Sequence, residues 1–263
     1  MSGPEAVQEL IRLQDVTVTG SELQHNMVRV QQVNWSIRRG DYWVVTGAPG
    51  SGKSDLLSTA AGLQKPGKGT HLIFGKPIQQ LNEEELIRER MKIGYVFQGG
   101  GRLFNQLSVQ ENIGLPICYH QDCPLSEAQE KIHTVLNLVE ITSLARRRPS
   151  EITRNLHPRI SLARALALQP EVLFIDNPLL GTDPNETAWW LKFLEKASTT
   201  PLIEGRKLTL VIAADDLRPW RSQGKQFAVI HEENWVEIGD ARGLGGKSLE
   251  LLNRFSGVNY NQA

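Results

Sequence analysis

The sequence of 263 residues lacks any apolar run long enough to cross a membrane. A membrane-spanning helix needs about 20 consecutive apolar residues, and no run here approaches that length. The N-terminus also lacks a basic segment followed by an apolar one, so we expect no secretory signal. If the protein acts at a membrane, we expect it to act through a partner.

The sequence also has no net charge and few cysteines. The 29 lysines and arginines balance 29 aspartates and glutamates, and there are two cysteines, Cys118 and Cys123. The balanced charge gives no indication of a nucleic-acid partner. The spacing of the two cysteines matches no metal-binding or redox motif. Two free thiols are typical of a protein in a reducing compartment.

Short apolar runs alternate with helical patterns along most of the chain. The predicted strands lie within residues 11–46 and at 93–97, 172–175, 208–213 and 227–230. The predicted helices lie at residues 55–63, 82–92, 126–139, 160–168 and 186–197. This alternation indicates an α/β fold in which helices wrap a mainly parallel sheet. Residues 102–160 show helical periodicity without a strand run, which indicates a helical insertion.

A glycine-rich segment follows the strand that is predicted to end at Thr46. It matches the pattern GxxxxGK[ST] at every fixed position and lies between a strand and a helix, as that motif requires. Glycines let successive backbone N–H groups point at phosphate oxygens, and the helix N-terminus adds partial positive charge. Lys53 is expected to reach the β- and γ-phosphates of ATP, and Ser54 to bind Mg²⁺. The predicted ATP-binding loop is Gly47, Ala48, Pro49, Gly50, Ser51, Gly52, Lys53 and Ser54.

A second acidic position fits a metal role. Asp176 closes the apolar strand at residues 172–175. In phosphate-loop NTPases an acidic residue at such a strand end holds Mg²⁺, directly or through water. An aspartate after a strand often only caps the next turn, but beside a phosphate loop we interpret Asp176 as a Mg²⁺ ligand.

Three further segments, in this order along the chain, resemble motifs of ABC ATPases. Gln98 lies where that family has its Q-loop glutamine. Residues 159–166 resemble the helix that follows the LSGGQ motif of the family, and residues 181–184 resemble its D-loop. A kinase or GTPase could share the phosphate loop, but it would not be expected to carry this set in this order.

The resemblance implies a fold, ligands and partners. It implies a phosphate-loop NTPase core with an N-terminal antiparallel β subdomain, in a single domain at residues 8–245 followed by a tail at 246–263. It implies ATP and Mg²⁺ as ligands, with Gln98 reaching the metal. It also implies an integral-membrane permease as partner, a homodimer or a heterodimer with another ABC ATPase, and a cytoplasmic position at the inner face of the cell membrane.

Within the family, three stretches look like the ATPase of Mla-type lipid-transport systems, which work with MCE proteins. They are residues 97–104, 111–116 and 176–184. This likeness implies lipid as the transported class.

Two residues depart from the catalytic pattern of the family. Asn177 stands where the family has the glutamate that polarises the attacking water. An amide accepts no proton at neutral pH, so general-base catalysis, typically worth ~10²–10⁴-fold, is expected to be lost. Asp215 stands at the position of the switch histidine, and its carboxylate would repel the γ-phosphate and donate no hydrogen bond.

The segment at the LSGGQ position is also altered. Arg154 and Asn155 replace its two glycines, while Thr153 keeps a hydroxyl. Pro158 lacks an N–H and is best tolerated in the first turn, so the following helix is predicted to begin near His157.

The residue that would stack on adenine is not evident. The family places an aromatic residue in the region of residues 17–23, and this chain has none there. His25 could substitute, whereas Tyr42 and Trp43 are interpreted as packing residues.

Three functions remain open at this point. The chain could be a working transporter ATPase with slow turnover. It could instead be a regulatory or structural subunit paired with an intact ATPase. An ABC protein without a transporter is less favoured, because such proteins usually carry two cassettes or long insertions. Residues 99–115, which include Arg102, Leu103, Phe104, Leu107 and Val109, are predicted to dock the permease. Any single one of these apolar residues could equally belong to the core, but several together in a Gly-rich loop are harder to bury internally.

Overall fold

Ten strands form a single sheet in the computed structural model, which describes residues 8–20, 27–202 and 205–240. The strands are β1 (Glu9–Thr19), β2 (Val28–Arg38), β3 (Tyr42–Gly47), β4 (Lys68–Ile73), β5 (Lys76–Pro77), β6 (Ile93–Val96), β7 (Val172–Asp176), β8 (Thr209–Ala214), β9 (Gln226–His231) and β10 (Asn234–Asp240). Their order across the sheet is β5-β4-β1-β2-β10-β9-β3-β8-β7-β6.

The sheet has an antiparallel edge and a parallel centre. Strands β1, β2, β4 and β5 pair antiparallel with one another, while β9, β3, β8, β7 and β6 pair parallel in that order. Strand β10 joins the two parts, parallel to β2 and antiparallel to β9. Every residue of β3, β7 and β8 is buried, as expected of strands covered on both faces. The predicted parallel core and antiparallel N-terminal subdomain are therefore confirmed. Strands β4, β5 and β10 were not marked by apolar runs of their own.

Six helices of the described residues cover the sheet. They are α1 (Lys53–Ala60), α2 (Glu83–Arg90), α3 (Val109–Gln121), α4 (Gln129–Leu138), α5 (His157–Leu166) and α6 (Pro184–Thr199). Helix α1 packs on one face with the N-terminal strands, whereas α3, α4, α5 and α6 build the core on the other face. None of these helices is long and apolar enough to span a membrane within the part of the chain described.

Residues 102–160 contain α3, α4 and the beginning of α5 and no strand, as predicted. Ser108 caps α3 and forms a reciprocal capping box with Glu111. Helix α5 begins at His157 with Pro158 in its first turn, which confirms the predicted late start. The domain limit at 245 and the tail at 246–263 lie outside the described residues.

The strand order determines which residues can meet. The carboxyl ends of β3, β8 and β7 lie side by side, because these three strands are parallel neighbours. The phosphate loop follows β3, Asp215 follows β8, and Asn177 follows β7. Three segments far apart in sequence therefore converge at one edge of the sheet, the usual location of ligands in open α/β sheets.

Candidate functional site

The phosphate loop bends where its glycines require it. Gly50 and Gly52 have φ angles of 80° and 95°, in the left-handed region that favours glycine. A Cβ on Gly52 would lie 2.9 Å from the Cβ of Arg29, so no larger residue fits without a shift. The loop therefore passes directly over β2 before α1 begins at Lys53.

Lys53 is buried and its ammonium group has three close acceptors. Its Nζ lies 2.7 Å from the carbonyl oxygen of Gly47 and 2.9 Å from that of Ala48. Its third contact is an ion pair with Asp215, at 2.9 Å from Oδ1. An ammonium group has three protons, so these contacts match its full donor capacity.

Ser54 and Asp176 form a suitable Mg²⁺ position. The buried Asp176 carboxylate accepts a hydrogen bond from the Ser54 side chain. Burial raises the pKa of Asp176 above its usual range, and Asp215 and Asp55 act in the same direction, while Ser54 and Lys53 oppose them. No group of three or more His, Cys, Asp or Glu side chains among the described residues is arranged to hold a metal.

Most of the predicted site residues line one cavity of about 260 Å³, whereas Gly47, Ala48 and Ser51 of the loop do not. Gln98 lies on a 3-10 turn after β6 and reaches the same cavity, as its proposed role requires. Two charged residues that sequence reasoning missed are Arg29 and Asp55. The position of Asp55 right after the loop could have indicated it, whereas nothing near Arg29 in the sequence marks it. The cavity is lined by Arg29, Pro49, Gly50, Gly52, Lys53, Ser54, Asp55, Gln98, Asp176, Asn177 and Asp215.

Asn177 and Asp215 contact each other inside this cavity. The amide Nδ2 of Asn177 donates a hydrogen bond of 2.7 Å to Oδ2 of Asp215, whose other oxygen pairs with Lys53. Asn177 has a φ of 52°, a left-handed conformation that asparagine tolerates better than most residues. The resemblance to ABC ATPases implies a glutamate and a histidine at these two positions, whereas here the acidic side chain is the second of the pair.

The altered segment at the LSGGQ position is tied to the D-loop of its own chain. Asn155 donates a hydrogen bond of 3.1 Å to Asp183, which also caps α6. Arg154 is exposed beside it. In the next helix, Arg159 forms a buried two-pronged ion pair with Glu186 at 2.7 and 2.5 Å. Helix α5 and the D-loop therefore form one connected unit.

The segment after Gln98 only partly agrees with its predicted docking role. Leu103 and Val109 are core residues, so their predicted place on a docking surface is wrong. They are buried because the chain turns back into α3 here. Arg102 and Phe104 are exposed, and Leu107 is half-buried.

Asn112 shapes this exposed segment. It is fully buried, accepts a hydrogen bond from the N–H of Phe104, and donates to the carbonyl groups of Phe104, Leu107 and Ser108. The turn is therefore fixed from inside, while the Phe104 side chain points outward with 45% of its surface exposed.

The two aromatic residues at the start of β3 are packing residues. Tyr42 and Trp43 are buried in the two core clusters, as predicted. His25 lies outside the described residues.

Comparisons with known proteins identify the family of this chain. Residues 30–180 match the protein family described as ABC transporter. The methionine import ATP-binding protein MetN of Lactobacillus delbrueckii subsp. bulgaricus is 31% identical over 255 residues, covering 94% of this chain and 71% of that protein. MetN of Ligilactobacillus salivarius is 29% identical over 251 residues, covering 94% of this chain and 69% of that protein.

Two solved structures share the fold. The dimeric post-hydrolysis state of the ATP-binding cassette MJ0796, bound to ADP and Pi, superposes with a TM-score of 0.75 at 26% identity, covering 86% of this chain and 96% of that chain. cbiO1 of Clostridium perfringens, part of the ABC transporter complex cbiONQ, has a TM-score of 0.76 at 22% identity, covering 94% of this chain and 95% of that chain, which shows the fold alone. This chain belongs to the ABC transporter family, as an ATP-binding subunit that binds ATP with Mg²⁺.

Proposed function

We propose that this subunit couples ATP binding to an integral-membrane permease at the inner face of the cell membrane, and that it hydrolyses ATP slowly or not at all. One observation supports both parts. Lys53, Ser54 and Asp176 meet in one cavity, as a nucleotide site requires. In the same cavity, the positions of the family's catalytic glutamate and switch histidine hold the Asn177–Asp215 pair.

Slow hydrolysis follows from what this pair can do. The Asn177 amide donates to Asp215, and an amide does not take a proton from water at neutral pH. The Asp215 carboxylate pairs with Lys53. A carboxylate only accepts hydrogen bonds, so it cannot donate to a γ-phosphate as a histidine would. Backbone donors and Mg²⁺ remain, and such preorganised groups alone sustain a slow reaction.

Binding and turnover can be measured separately. We expect a fluorescent ATP analogue to bind the unaltered chain with Mg²⁺ and to lose most of its affinity in Lys53→Ala. Lys65→Ala is the matched control, because Lys65 is exposed in the turn after α1. The ATPase rate is then measured with the chain alone and with its membrane partner. A rate like that of ordinary transporter ATPases would refute the impaired-hydrolysis proposal.

The permease is proposed to dock on the exposed side of the 102–160 segment, the helical lobe of a single domain at 8–245. Phe97 and Phe104 flank the Gln98 turn and are 44% and 45% exposed. A Cβ on Gly100 would lie 2.6 Å from the backbone of His157, so this turn packs directly against the start of α5. A nucleotide that contacts Gln98 could therefore change the conformation of the docking surface.

Co-purification tests the docking surface. The double variant Arg102→Glu/Phe104→Ala is expected to lose the permease while keeping ATP affinity. The matched control is Arg88→Glu/Ile87→Ala on α2, which changes the same residue classes at another exposed position. If the first pair co-purifies as well as the control, the docking surface lies elsewhere.

A second candidate is a regulatory subunit that pairs with an intact ATPase. The observation that favours it is the segment at Thr153–Asn155, where Asn155 is bound to Asp183 of its own chain. Two such segments in a homodimer would leave both ATP sites without the glycine backbone of LSGGQ. The ATPase activity of a complex with a sister ATPase distinguishes the two candidates. If this chain is a regulatory subunit, the complex should keep most of its ATPase activity when Lys53 of this chain is replaced. If this chain is a working ATPase, the complex should lose the part of the activity that this chain contributes.

Two observations support different classes of transported substrate. The motif likeness to Mla-type ATPases supports lipid, whereas the two bacterial relatives above are named methionine importers and support import of a small solute. Reconstitution of the complete transporter distinguishes these two classes of substrate. Stimulation of ATP turnover by methionine, with no response to phospholipid and an MCE protein, would remove the lipid assignment.

A further inference from the structure

Asp215 pairs with the ammonium group of Lys53, which is the group expected to bind the γ-phosphate of ATP. Its Oδ1 lies 2.9 Å from Lys53 Nζ, and its Oδ2 is fixed by Asn177 at 2.7 Å. The other two acceptors of Lys53 are carbonyl groups of the phosphate loop itself, on Gly47 and Ala48. Those carbonyls are part of the loop backbone, whereas Asp215 is a side chain with rotatable bonds. A γ-phosphate that approaches Lys53 must therefore displace Asp215.

The surrounding charge increases this competition. Asp55, Asp176 and Asp215 line the cavity against two cations, Lys53 and Arg29. Mg²⁺ at Ser54 and Asp176 offsets part of the acidic charge for either nucleotide. The carboxylate of Asp215 still occupies the Lys53 contact that a third phosphate would use.

A nucleoside diphosphate meets a smaller obstacle. Lys53 is expected to reach its β-phosphate too, but the backbone N–H groups of the loop from Gly47 to Ser54 also hold that phosphate, and they do so without moving Asp215. We propose that Asp215 is a specificity-determining residue that makes this site hold a nucleoside diphosphate more tightly than the corresponding triphosphate. The inference rests on the proposed nucleotide binding and adds which nucleotide the resting site prefers.

The test compares MgADP and MgATP affinities by calorimetry on the full chain. The variants are Asp215→Asn, which removes the charge and keeps the shape, and Asp215→Ser, in case the first folds poorly. Asp216→Asn is the matched control: it removes the same charge one residue away, where Asp216 pairs with Arg218 and does not line the cavity. Thermal unfolding checks that each variant is folded.

We expect the unaltered chain to bind ADP more tightly than ATP. Asp215→Asn should shift the affinity ratio toward ATP by about tenfold, which corresponds to ~1.4 kcal/mol, because the substitution removes a negative charge beside the third phosphate. Asp216→Asn should leave the ratio within about twofold, as expected of an exposed charge.

The inference is overturned if the affinity ratio stays unchanged in both Asp215→Asn and Asp215→Ser. An equal rise of both affinities would then mean general competition for Lys53. Loss of residual turnover at an unchanged ratio would instead make Asp215 the base. If the unaltered chain bound neither nucleotide, the proposed function itself would fail. Loss of binding in Lys53→Ala alone would leave that function standing.

Discussion

Replacing Asn177 with glutamate tests whether the Asn177–Asp215 contact controls the site. From the sequence alone, this change is expected to restore part of the lost turnover. The structure predicts a different result, because Nδ2 of Asn177 lies 2.7 Å from Oδ2 of Asp215. A glutamate there would bring two carboxylates together, and the left-handed backbone at residue 177 would suit it less well than asparagine.

The cost can be estimated from this geometry. Two like charges about 4 Å apart interact by about 4 kcal/mol at an effective dielectric constant of ~20. The Asp215 side chain is 33% exposed, so solvent screening reduces the repulsion to roughly 1–2 kcal/mol. Asn177→Glu alone should therefore be destabilised and gain little turnover. Asp215→His in the same chain should remove the repulsion and restore a donor to the pair.

A double-mutant cycle measures this coupling. Urea unfolding of the unaltered chain, both single variants and the double variant should give a coupling free energy of at least about 1 kcal/mol in favour of the double variant. ATP turnover should rise most in the double variant, and further when Thr153–Asn155 is changed to Ser-Gly-Gly. The reasoning is refuted if the two substitutions are additive in stability and Asn177→Glu alone raises turnover as much as the pair.

Three further predictions concern stability. Arg159→Ala should lower the free energy of unfolding in urea by about 3–5 kcal/mol, because it leaves the Glu186 carboxylate buried and unpaired. The control Arg88→Ala, on the exposed face of α2, should lower it by under ~1 kcal/mol. Equal losses in the two variants would contradict this prediction. Burial lowers the pKa of His71 to about 4, against 6.5 for an ordinary histidine, so its contribution is complete above pH 6.5 and about 3 kcal/mol is lost as pH falls toward 4. His71→Gln should flatten that part of the pH profile of unfolding free energy, and an unchanged profile would reject the assignment. Asn112→Ala should cost about 1–3 kcal/mol and accelerate hydrogen exchange at residues 104–108, which it holds; unchanged exchange would show that the turn is fixed by other contacts.

The sequence determined the features that depend on local order. The pattern from Gly47 to Ser54 defines a phosphate loop because the glycines, lysine and hydroxyl act within one turn of backbone. The apolar run before Asp176 defines a buried strand that ends in a carboxylate, and Pro158 sets where α5 begins. These predictions are confirmed as structure because neighbours in the chain supply most of the relevant interactions. The roles of these residues in binding and catalysis remain predictions.

The tertiary structure decided the features that depend on strand order and burial. No local pattern states that β8 lies between β3 and β7, yet that order brings Asp215 to Lys53 and Asn177. The same applies to Arg29, which reaches the cavity only because the loop crosses β2 at Gly52. Leu103 and Phe104 are adjacent apolar residues that the sequence does not distinguish, and the turn held by Asn112 leaves one buried and the other exposed. Side-chain pairing across the sheet is a property of the packed fold, because the contacting residues are separated by long stretches of chain.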